Sequence, residues 1–198
     1  MMSSTTGAVL SDTNYAVIYD LHSHTTASDG RLTPEELVHR AGEMRVGTLA
    51  ITDHDTVDAI PRAQAEIARA GLALQLITGV EISTLWENHE IHIVGLNIDI
   101  ENPTLTAFLS AQIDRRQQRG QMIAERLEKA QIPGAWEAAL KMAEGGAVTR
   151  GHFARFLVEQ GKASNIGDVF KRYLARGKTG YVPPQWCTIK EAIDVIHH

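Results

Sequence analysis

The chain has 198 residues and a formal net charge of −5, with 43% hydrophobic and 22% charged residues. This composition is typical of a water-soluble globular protein, and no stretch approaches the roughly 18–20 apolar residues of a membrane span. One cysteine, Cys187, excludes an internal disulfide and favours a reducing, cytoplasmic location.

The charge is divided unevenly along the sequence. Residues 104–185 contain 13 Lys or Arg and 7 Asp or Glu, whereas the remainder contains 6 and 17. A basic segment beside an acidic one fits a metalloenzyme that acts on a polyanion. Charged helix faces that are merely solvated would give the same counts, and charge alone does not separate the two interpretations.

The N-terminal half alternates between predicted strands and helices. Residues 1–14 are polar and aperiodic and are predicted to be a disordered leader without the features of a signal peptide. Predicted strands cover 15–21, 48–52, 74–77, 79–83 and 89–96. A capping box at Thr33 begins a helix that ends near Gly47, and a second helix covers 58–70. This β-α-β pattern predicts a parallel α/β barrel or sheet over residues 15–103.

The pattern changes after Pro103, because residues 104–185 contain predicted helices and no convincing strand. The first, 105–130, is one long helix or two, with Gly120 as a possible break. Shorter helices are predicted at 136–143, 149–160 and 168–175. Residues 186–198, with a capping box at Thr188, are predicted to return to the barrel, so that 104–185 is a helical insertion that closes over a site.

Histidines and carboxylates recur at or just after the predicted strands. Residues i and i+2 of a strand point to the same face, so a His-x-His pair at a strand end aims at one point. Imidazole together with carboxylate suits Mn²⁺, Fe²⁺ or Zn²⁺ better than Ca²⁺ or Mg²⁺. The candidate metal ligands are His22, His24, Asp29, His54, Glu81 and His92. Three further carboxylates, Asp20, Asp53 and Asp55, are candidates for orienting the ligand imidazoles.

A single His-x-His pair is weak evidence, but the ordered set of motifs is difficult to explain by packing. The chain resembles the PHP (polymerase and histidinol phosphatase) family of metal-dependent phosphoesterases, and within it the TrpH/YciV branch. The motifs that carry the resemblance are Asp20-Leu21-His22-Ser23-His24, Ser28-Asp29-Gly30, Thr52-Asp53-His54-Asp55, Gly79-Val80-Glu81-Ile82-Ser83, His92-Ile93-Val94-Gly95, Thr149-Arg150-Gly151-His152 and Gly177-Lys178-Thr179-Gly180.

The resemblance implies a distorted seven-stranded β/α barrel with a helical insertion and up to three divalent metals, of which Mn²⁺ is expected. It assigns His22, His24 and Glu81 to a first metal and Asp29 and His54 to a second. Glu81 would also bridge to a third metal that His92 holds. The implied activities are removal of nucleotides from 5′-phosphorylated RNA, including ribosomal RNA precursors, and removal of the 3′-phosphate from 3′,5′-nucleotide bisphosphates.

The family also places ligands beyond the last residue of this chain, in an Ala-His-Pro motif and an Asp-x-His pair. A β/α barrel usually needs about 250 residues before any insertion. We therefore expect the C-terminal part of the barrel to be missing, as in a fragment or a prematurely ended reading frame. Such a chain is expected to expose barrel edges and to bind metals weakly.

The expected mechanism is attack by a metal-activated water, because the chemistry needs no protein nucleophile. Arg150, His152, Arg155 and Lys178 are the candidate phosphate-binding residues, although surface solubility explains any one of them equally well. A phosphatase for small metabolites only, an inactive PHP module and a polymerase-associated PHP domain are the alternatives. No membrane and no obligate protein partner is predicted.

Overall fold

The computed structural model describes residues 17–198. The strands are β1 (Ile18–Asp20), β2 (Val46–Ile51), β3 (Gln75–Trp86), β4 (His89–Leu96) and β5 (Cys187–Thr188). The helices are α1 (Pro34–Glu43), α2 (Ala59–Ala70), α3 (Pro103–Lys129), α4 (Ala135–Ala143), α5 (Arg150–Glu159), α6 (Ile166–Val169) and α7 (Ile189–Ile196). A π-helical turn, Phe170–Leu174, continues α6. The predicted leader, residues 1–14, lies outside the described residues.

The strands form one curled sheet in the order β1-β2-β3-β4, with β5 beside β3. β1, β2 and β3 are parallel and make a half-barrel, which confirms the predicted mixed α/β class and partial barrel. β4, however, runs antiparallel to β3, contrary to the all-parallel expectation. Only two residues separate the two strands, a connection that suits a hairpin, whereas a parallel partner needs a crossover of a dozen or more residues.

Capping residues in the sequence determine where several helices begin. Thr33 and Thr188 both form complete capping boxes, with the glutamate three residues later bonding back to the cap. Thr149 caps α5 in the same reciprocal way, with His152 in place of glutamate. α7 covers Ile189–Ile196 and so reaches almost to the last residue of the chain.

Gly120 does not break α3, which runs unbroken for 27 residues. A Cβ at this position would lie 2.8 Å from Cζ3 of Trp136, at the start of α4. The glycine therefore allows α4 to approach α3 closely, and this packing contact explains its presence inside a helix. The predicted strands 74–77 and 79–83 are likewise joined, as parts of β3.

Three groups of buried apolar side chains hold the molecule together. One lies between α1, α2 and the sheet, with Val38, Leu49 and Ile60 at its centre. A second joins β3 to α3 and α7, and a third fills the space among α3, α4, α5 and the π-helical turn. α3 contributes to the last two groups, so this helix connects the sheet to the helical segment.

The outer edge of the sheet is exposed along β1. In the described part of the chain β1 pairs only with β2, and Ile18 and Tyr19 are 48% and 64% exposed. No helix within residues 17–198 is long and apolar enough to cross a membrane.

Candidate metal centre and adjoining cavity

The six candidate ligands come from five separate places in the fold. His22 and His24 follow β1, Asp29 lies in the loop before α1, and His54 follows β2. Glu81 and His92 lie within β3 and β4, where the register pairs Glu81 with Val94 and Ser83 with His92. His92 is thus the diagonal neighbour of Glu81 on the same face of the hairpin, and the two side chains meet across the strands.

Glu81 is the centre of the cluster. Its Oε2 lies 3.0 Å from Nε2 of His22 and 3.0 Å from Nε2 of His24, and its Oε1 lies 2.8 Å from Nδ1 of His92. Nδ1 of His54 is 3.6 Å from Oε2. The carboxylate is 6% exposed, so four imidazoles converge on one buried anion.

Asp29 is a second, smaller centre. Its carboxylate oxygens lie 3.5 Å from Nε2 of His54 and 3.9 Å from Nδ1 of His24. The hydroxyl of Thr149 donates to the same carboxylate at 3.2 Å, and the guanidinium of Arg155 donates to the Asp29 carbonyl. The N-terminal turn of α5 therefore holds the loop that carries Asp29.

The donor atoms fall into three overlapping groups, each with its members within 4.8 Å of one another. They are His22 with His24 and Glu81, His24 with Asp29 and His54, and His54 with Glu81 and His92. All six candidate ligands take part, and His24, His54 and Glu81 are each shared between two groups. Such sharing is what closely spaced metals need, since a shared carboxylate can bridge them.

Both carboxylates are held in their ionised form. Burial would raise the pKa of Glu81, but hydrogen bonds from His24 and His92 outweigh burial and lower it far below its usual range. Burial would also raise the pKa of Asp29, but the hydrogen bond from His54 and the charge of its ring outweigh burial and lower that pKa. Two ionised carboxylates among four imidazoles therefore form a site rich in oxygen and nitrogen donors.

The residues present fit a divalent metal. Nδ1 of His54 is buried and has no hydrogen-bond partner within the described residues, although it faces Glu81. Leaving a buried ring nitrogen unpaired costs free energy, and a coordinated cation would satisfy it. Imidazoles with carboxylates are the donor set of Mn²⁺, Fe²⁺ and Zn²⁺ sites.

The three carboxylates predicted to orient imidazoles make other contacts. Asp53 is fully buried and accepts hydrogen bonds from Thr25 and from the hydroxyl of Ser28, so it shapes the loop that follows His24. Asp55, also fully buried, pairs with Arg116 of α3 at 2.7 Å. Asp20 accepts from the backbone N–H of His22 at 3.4 Å and lies at the exposed end of β1. They support the peptide segments that carry the ligands.

A cavity of about 350 Å³ adjoins the cluster on the side of the helical segment. Asp29, His54 and His92 line its floor, and four arginines line its walls: Arg116, Arg119, Arg150 and Arg155. Apolar side chains including Ile123, Phe153 and Phe170 complete it. The cavity therefore joins candidate metal ligands, positive charge and an apolar surface.

Of the four predicted phosphate-binding residues, two line this cavity. Arg150 pairs with Glu90 at 3.0 Å and stacks over Phe170, and Arg155 lies beside Asp29. His152 is 1% exposed and accepts a hydrogen bond from the backbone of Thr149. His152 therefore caps α5 from inside the core. Lys178 is exposed and lies in a turn, outside the residues that line the cavity.

Sequence reasoning missed the part of the cavity that α3 builds. Arg119 pairs with Glu90 at 2.7 Å, and Trp186 donates its indole N–H to the same carboxylate at 2.8 Å. Arg116 and Arg119 both lie over the Trp186 ring, at 4.9 and 5.4 Å from its centroid. The sequence does contain a sign that these arginines face inward, because residues 112, 116 and 119 continue the helical stripe of Leu105, Leu109 and Ile123.

Comparison with known proteins agrees with this arrangement. The PHP domain family model matches residues 20–182. The chain is 79% identical over 192 residues to a protein of Salmonella typhimurium named 5′-3′ exoribonuclease Rnm, covering 97% of this chain and 66% of that one. It is 39% identical to a 3′,5′-nucleoside bisphosphate phosphatase of Chromobacterium violaceum, covering 89% of this chain and 62% of that one.

A solved structure gives the same result in three dimensions. A protein of Chromobacterium violaceum, described as an amidohydrolase with bound sulfate and no metal, superposes with a TM-score of 0.85 at 39% identity. The match covers 90% of this chain and 63% of that structure. The chain thus spans slightly less than two thirds of the length of these relatives.

Proposed function

The chain belongs to the PHP domain family, and on this premise we propose that it forms the metal-binding and substrate-enclosing parts of a phosphoesterase. The proposed reactions are removal of 5′-terminal nucleotides from RNA, including ribosomal RNA precursors, and removal of the 3′-phosphate from 3′,5′-nucleoside bisphosphates. The relatives named for these two activities, at 79% and 39% identity, support the proposal.

We propose that His22, His24, Asp29, His54, Glu81 and His92 hold the metals, with Mn²⁺ as the ion. The observation that carries this proposal is the convergence of four imidazoles on the buried carboxylate of Glu81. A bound divalent metal supplies a Lewis acid for the phosphoryl oxygens and lowers the pKa of a water near neutrality. No serine or cysteine nucleophile is needed.

The arginines of the cavity would bind the phosphate groups of the substrate. Nη2 of Arg119 is buried and has no hydrogen-bond partner among the described residues, and its side chain lines the cavity. Glu90 holds Arg119 and Arg150 together, which orients both guanidinium groups. Guanidinium matches phosphate geometry better than ammonium does, which favours Arg119 and Arg150 over the exposed Lys178.

Two alternatives differ in substrate and in activity. A cavity of about 350 Å³ is at the small end of ligand sites, which favours a phosphatase that accepts single nucleotides only. An inactive module is the other alternative, and the intact set of six candidate ligands argues against it. We further propose that residues 104–185 are an insertion between barrel parts at 15–103 and 186–198. The whole protein is proposed to be cytoplasmic and to bind RNA ends without an obligate protein partner.

The test compares two substrates with the same protein. A 5′-phosphorylated oligoribonucleotide and free 3′,5′-adenosine bisphosphate are incubated separately with Mn²⁺ and with a chelator. Metal-dependent release of mononucleotides from the RNA supports the exoribonuclease, whereas phosphate release from the bisphosphate alone supports the small-molecule phosphatase. Hydrolysis that persists in the chelator contradicts the proposed metal dependence.

A further inference from the structure

We infer that Arg116 is a positioning residue for the metal centre, and that α3 holds the ligands His54, Glu81 and His92 in place from behind. The inference rests on the proposed metal function and goes beyond it, because it gives the helical segment a role in metal binding. From the charge pattern alone, the basic segment that contains α3 would be expected only to bind the substrate.

The contacts of Arg116 are buried and directional. Its Nε donates to Oδ2 of Asp55 at 2.7 Å, and its Nη2 donates to the hydroxyl of Ser83 at 2.6 Å. Gln112, one turn earlier, donates to Oδ1 of Asp55 and to the carbonyl of Ser83. Arg116 is 7% exposed, and Asp55, Ser83 and Gln112 are fully buried.

The two residues that Arg116 joins lie next to ligands. Asp55 follows His54 directly and adopts a left-handed backbone with φ of 54°, a conformation that a non-glycine residue rarely takes. Its N–H donates to the Glu81 carbonyl at 3.0 Å. Ser83 is two residues after Glu81 and pairs in register with His92. The segments of three ligands therefore meet at one guanidinium group.

The remaining ligands are supported from elsewhere. Asp53 holds the loop after His24 through Thr25 and Ser28, and α5 holds Asp29 through Thr149. Arg116 makes none of these contacts in the described residues. Loss of its hydrogen bonds should therefore disturb His54, Glu81 and His92 directly, and should reach His22 and His24 only through their contacts with Glu81.

The experiment measures Mn²⁺ binding by calorimetry in the absence of substrate, because Arg116 also lines the cavity and kinetics would mix two effects. Arg116→Lys keeps the charge but lacks the fixed fork of two guanidinium nitrogens that reach Asp55 and Ser83 separately. Gln112→Met is the second variant, in case Arg116→Lys does not fold. Arg126→Lys, exposed on the same helix, is the matched control. Leu127→Ala, buried on the same helix but in the core formed with α4 and α5, controls for lost stability.

We expect Arg116→Lys and Gln112→Met to weaken Mn²⁺ binding by about tenfold, as loss of an outer-shell partner does. In the metal-free protein, the ring nitrogen NMR signals of His54 and His92 should shift, while those of His39, which pairs with Glu66 away from the cluster, should not. Arg126→Lys should bind Mn²⁺ as the parent does. Leu127→Ala should lower Tm and leave unchanged the Mn²⁺ affinity measured well below Tm.

Parent-like Mn²⁺ affinity in Arg116→Lys and Gln112→Met would overturn the inference and leave the proposed function standing. An equal loss of affinity in Leu127→Ala would also overturn it, since the effect would then be one of stability. Absence of Mn²⁺ binding by the parent chain would overturn the inference and the proposed metal function together.

Discussion

Glu81 and His92 meet diagonally across an antiparallel hairpin, with Nδ1 of His92 2.8 Å from Oε1 of Glu81. In a purely parallel barrel, ligands gather because the carboxyl ends of the strands meet at one face. Here one candidate ligand reaches the site from a strand that runs in the opposite direction. The hairpin therefore fixes the spacing between two candidate ligands through a continuous ladder of backbone hydrogen bonds.

The central position of Glu81 predicts the effect of removing its charge. Glu81→Gln keeps the size and shape of the side chain but leaves four imidazoles without their shared anion, and it should lower Mn²⁺ affinity at least tenfold. Glu66→Gln is the matched control, because Glu66 also contacts an imidazole, that of His39, at a place away from the cavity. Calorimetry on both variants is the measurement, and equal loss in both would contradict the assignment.

The loop between His24 and Asp29 depends on a glycine. A Cβ at Gly30 would lie 2.3 Å from the carbonyl oxygen of His24, so Gly30→Ala must displace the backbone that carries both ligands. We expect weaker Mn²⁺ binding together with a loss of about 1–3 kcal/mol in the free energy of unfolding.

Gly42→Ala is the control for this prediction. Gly42 lies inside α1 with no atom within 4 Å of the added Cβ, and the change should stabilise the helix by about 0.5–1 kcal/mol. Urea unfolding measures both effects. A Gly30→Ala variant with parent stability and parent Mn²⁺ affinity would contradict the close approach of Gly30 to His24.

The unpaired Nη2 of Arg119 predicts a specific role in anion binding. Arg119→Met keeps much of the side-chain volume but removes the charged donors, and it should weaken binding of 3′,5′-adenosine bisphosphate by about tenfold or more, the value of one or two charge-assisted hydrogen bonds. Arg126→Met, on the exposed face of α3, should bind as the parent does. Titration followed by NMR compares the two, and identical affinities would remove Arg119 from the site.

Buried His152 predicts a dependence of stability on pH. Burial lowers the pKa of His152 to about 4, with the nearby charge of Arg155 acting in the same direction. The unfolded chain has the ordinary value near 6.5, so between pH 6.5 and 4 it binds more protons than the folded protein. Stability is therefore lost as pH falls, by about 2 kcal/mol between pH 7 and 5 from this group.

His152→Gln tests this origin of the pH dependence. Glutamine keeps the capping box at Thr149 but does not titrate, so the variant should lose about 2 kcal/mol less than the parent between pH 7 and 5. Urea unfolding of metal-free protein at the two pH values measures the difference. The same pH dependence in parent and variant would show that His152 is not held neutral.

The convergence of the candidate ligands on one site could be predicted from the sequence, whereas of the arginines in the cavity walls only Arg150 and Arg155 were predicted. Histidines and carboxylates such as His22, His54 and Glu81 are rare beside apolar strands, and each was predictable from its place at or near a strand. The antiparallel direction of β4 could also have been inferred from the sequence, because the five residues between predicted strands 79–83 and 89–96 are too few for a crossover helix. Alternation alone indicates a strand without giving its direction.

Which residues of the helical segment line the cavity depends on tertiary packing, of which the helical stripe of α3 is only a partial sign. Arg116 and Arg119 face inward because α3 packs against both the sheet and α4, whereas Lys178 faces outward in a turn after the π-helical segment. His152 was predicted to contact substrate and instead caps its own helix. A basic residue type is common to all four positions, and only the fold separates those that line the cavity.

The most direct test of the proposed metal centre is the position of bound metal in a crystal of this chain grown with Mn²⁺. Anomalous scattering recorded at the manganese absorption edge locates the ions independently of any model of the protein. Peaks are expected within coordination distance of Glu81 and of the imidazoles of His24 and His54. Peaks found only elsewhere on the protein, or no peaks at a saturating Mn²⁺ concentration, would contradict the proposed metal centre.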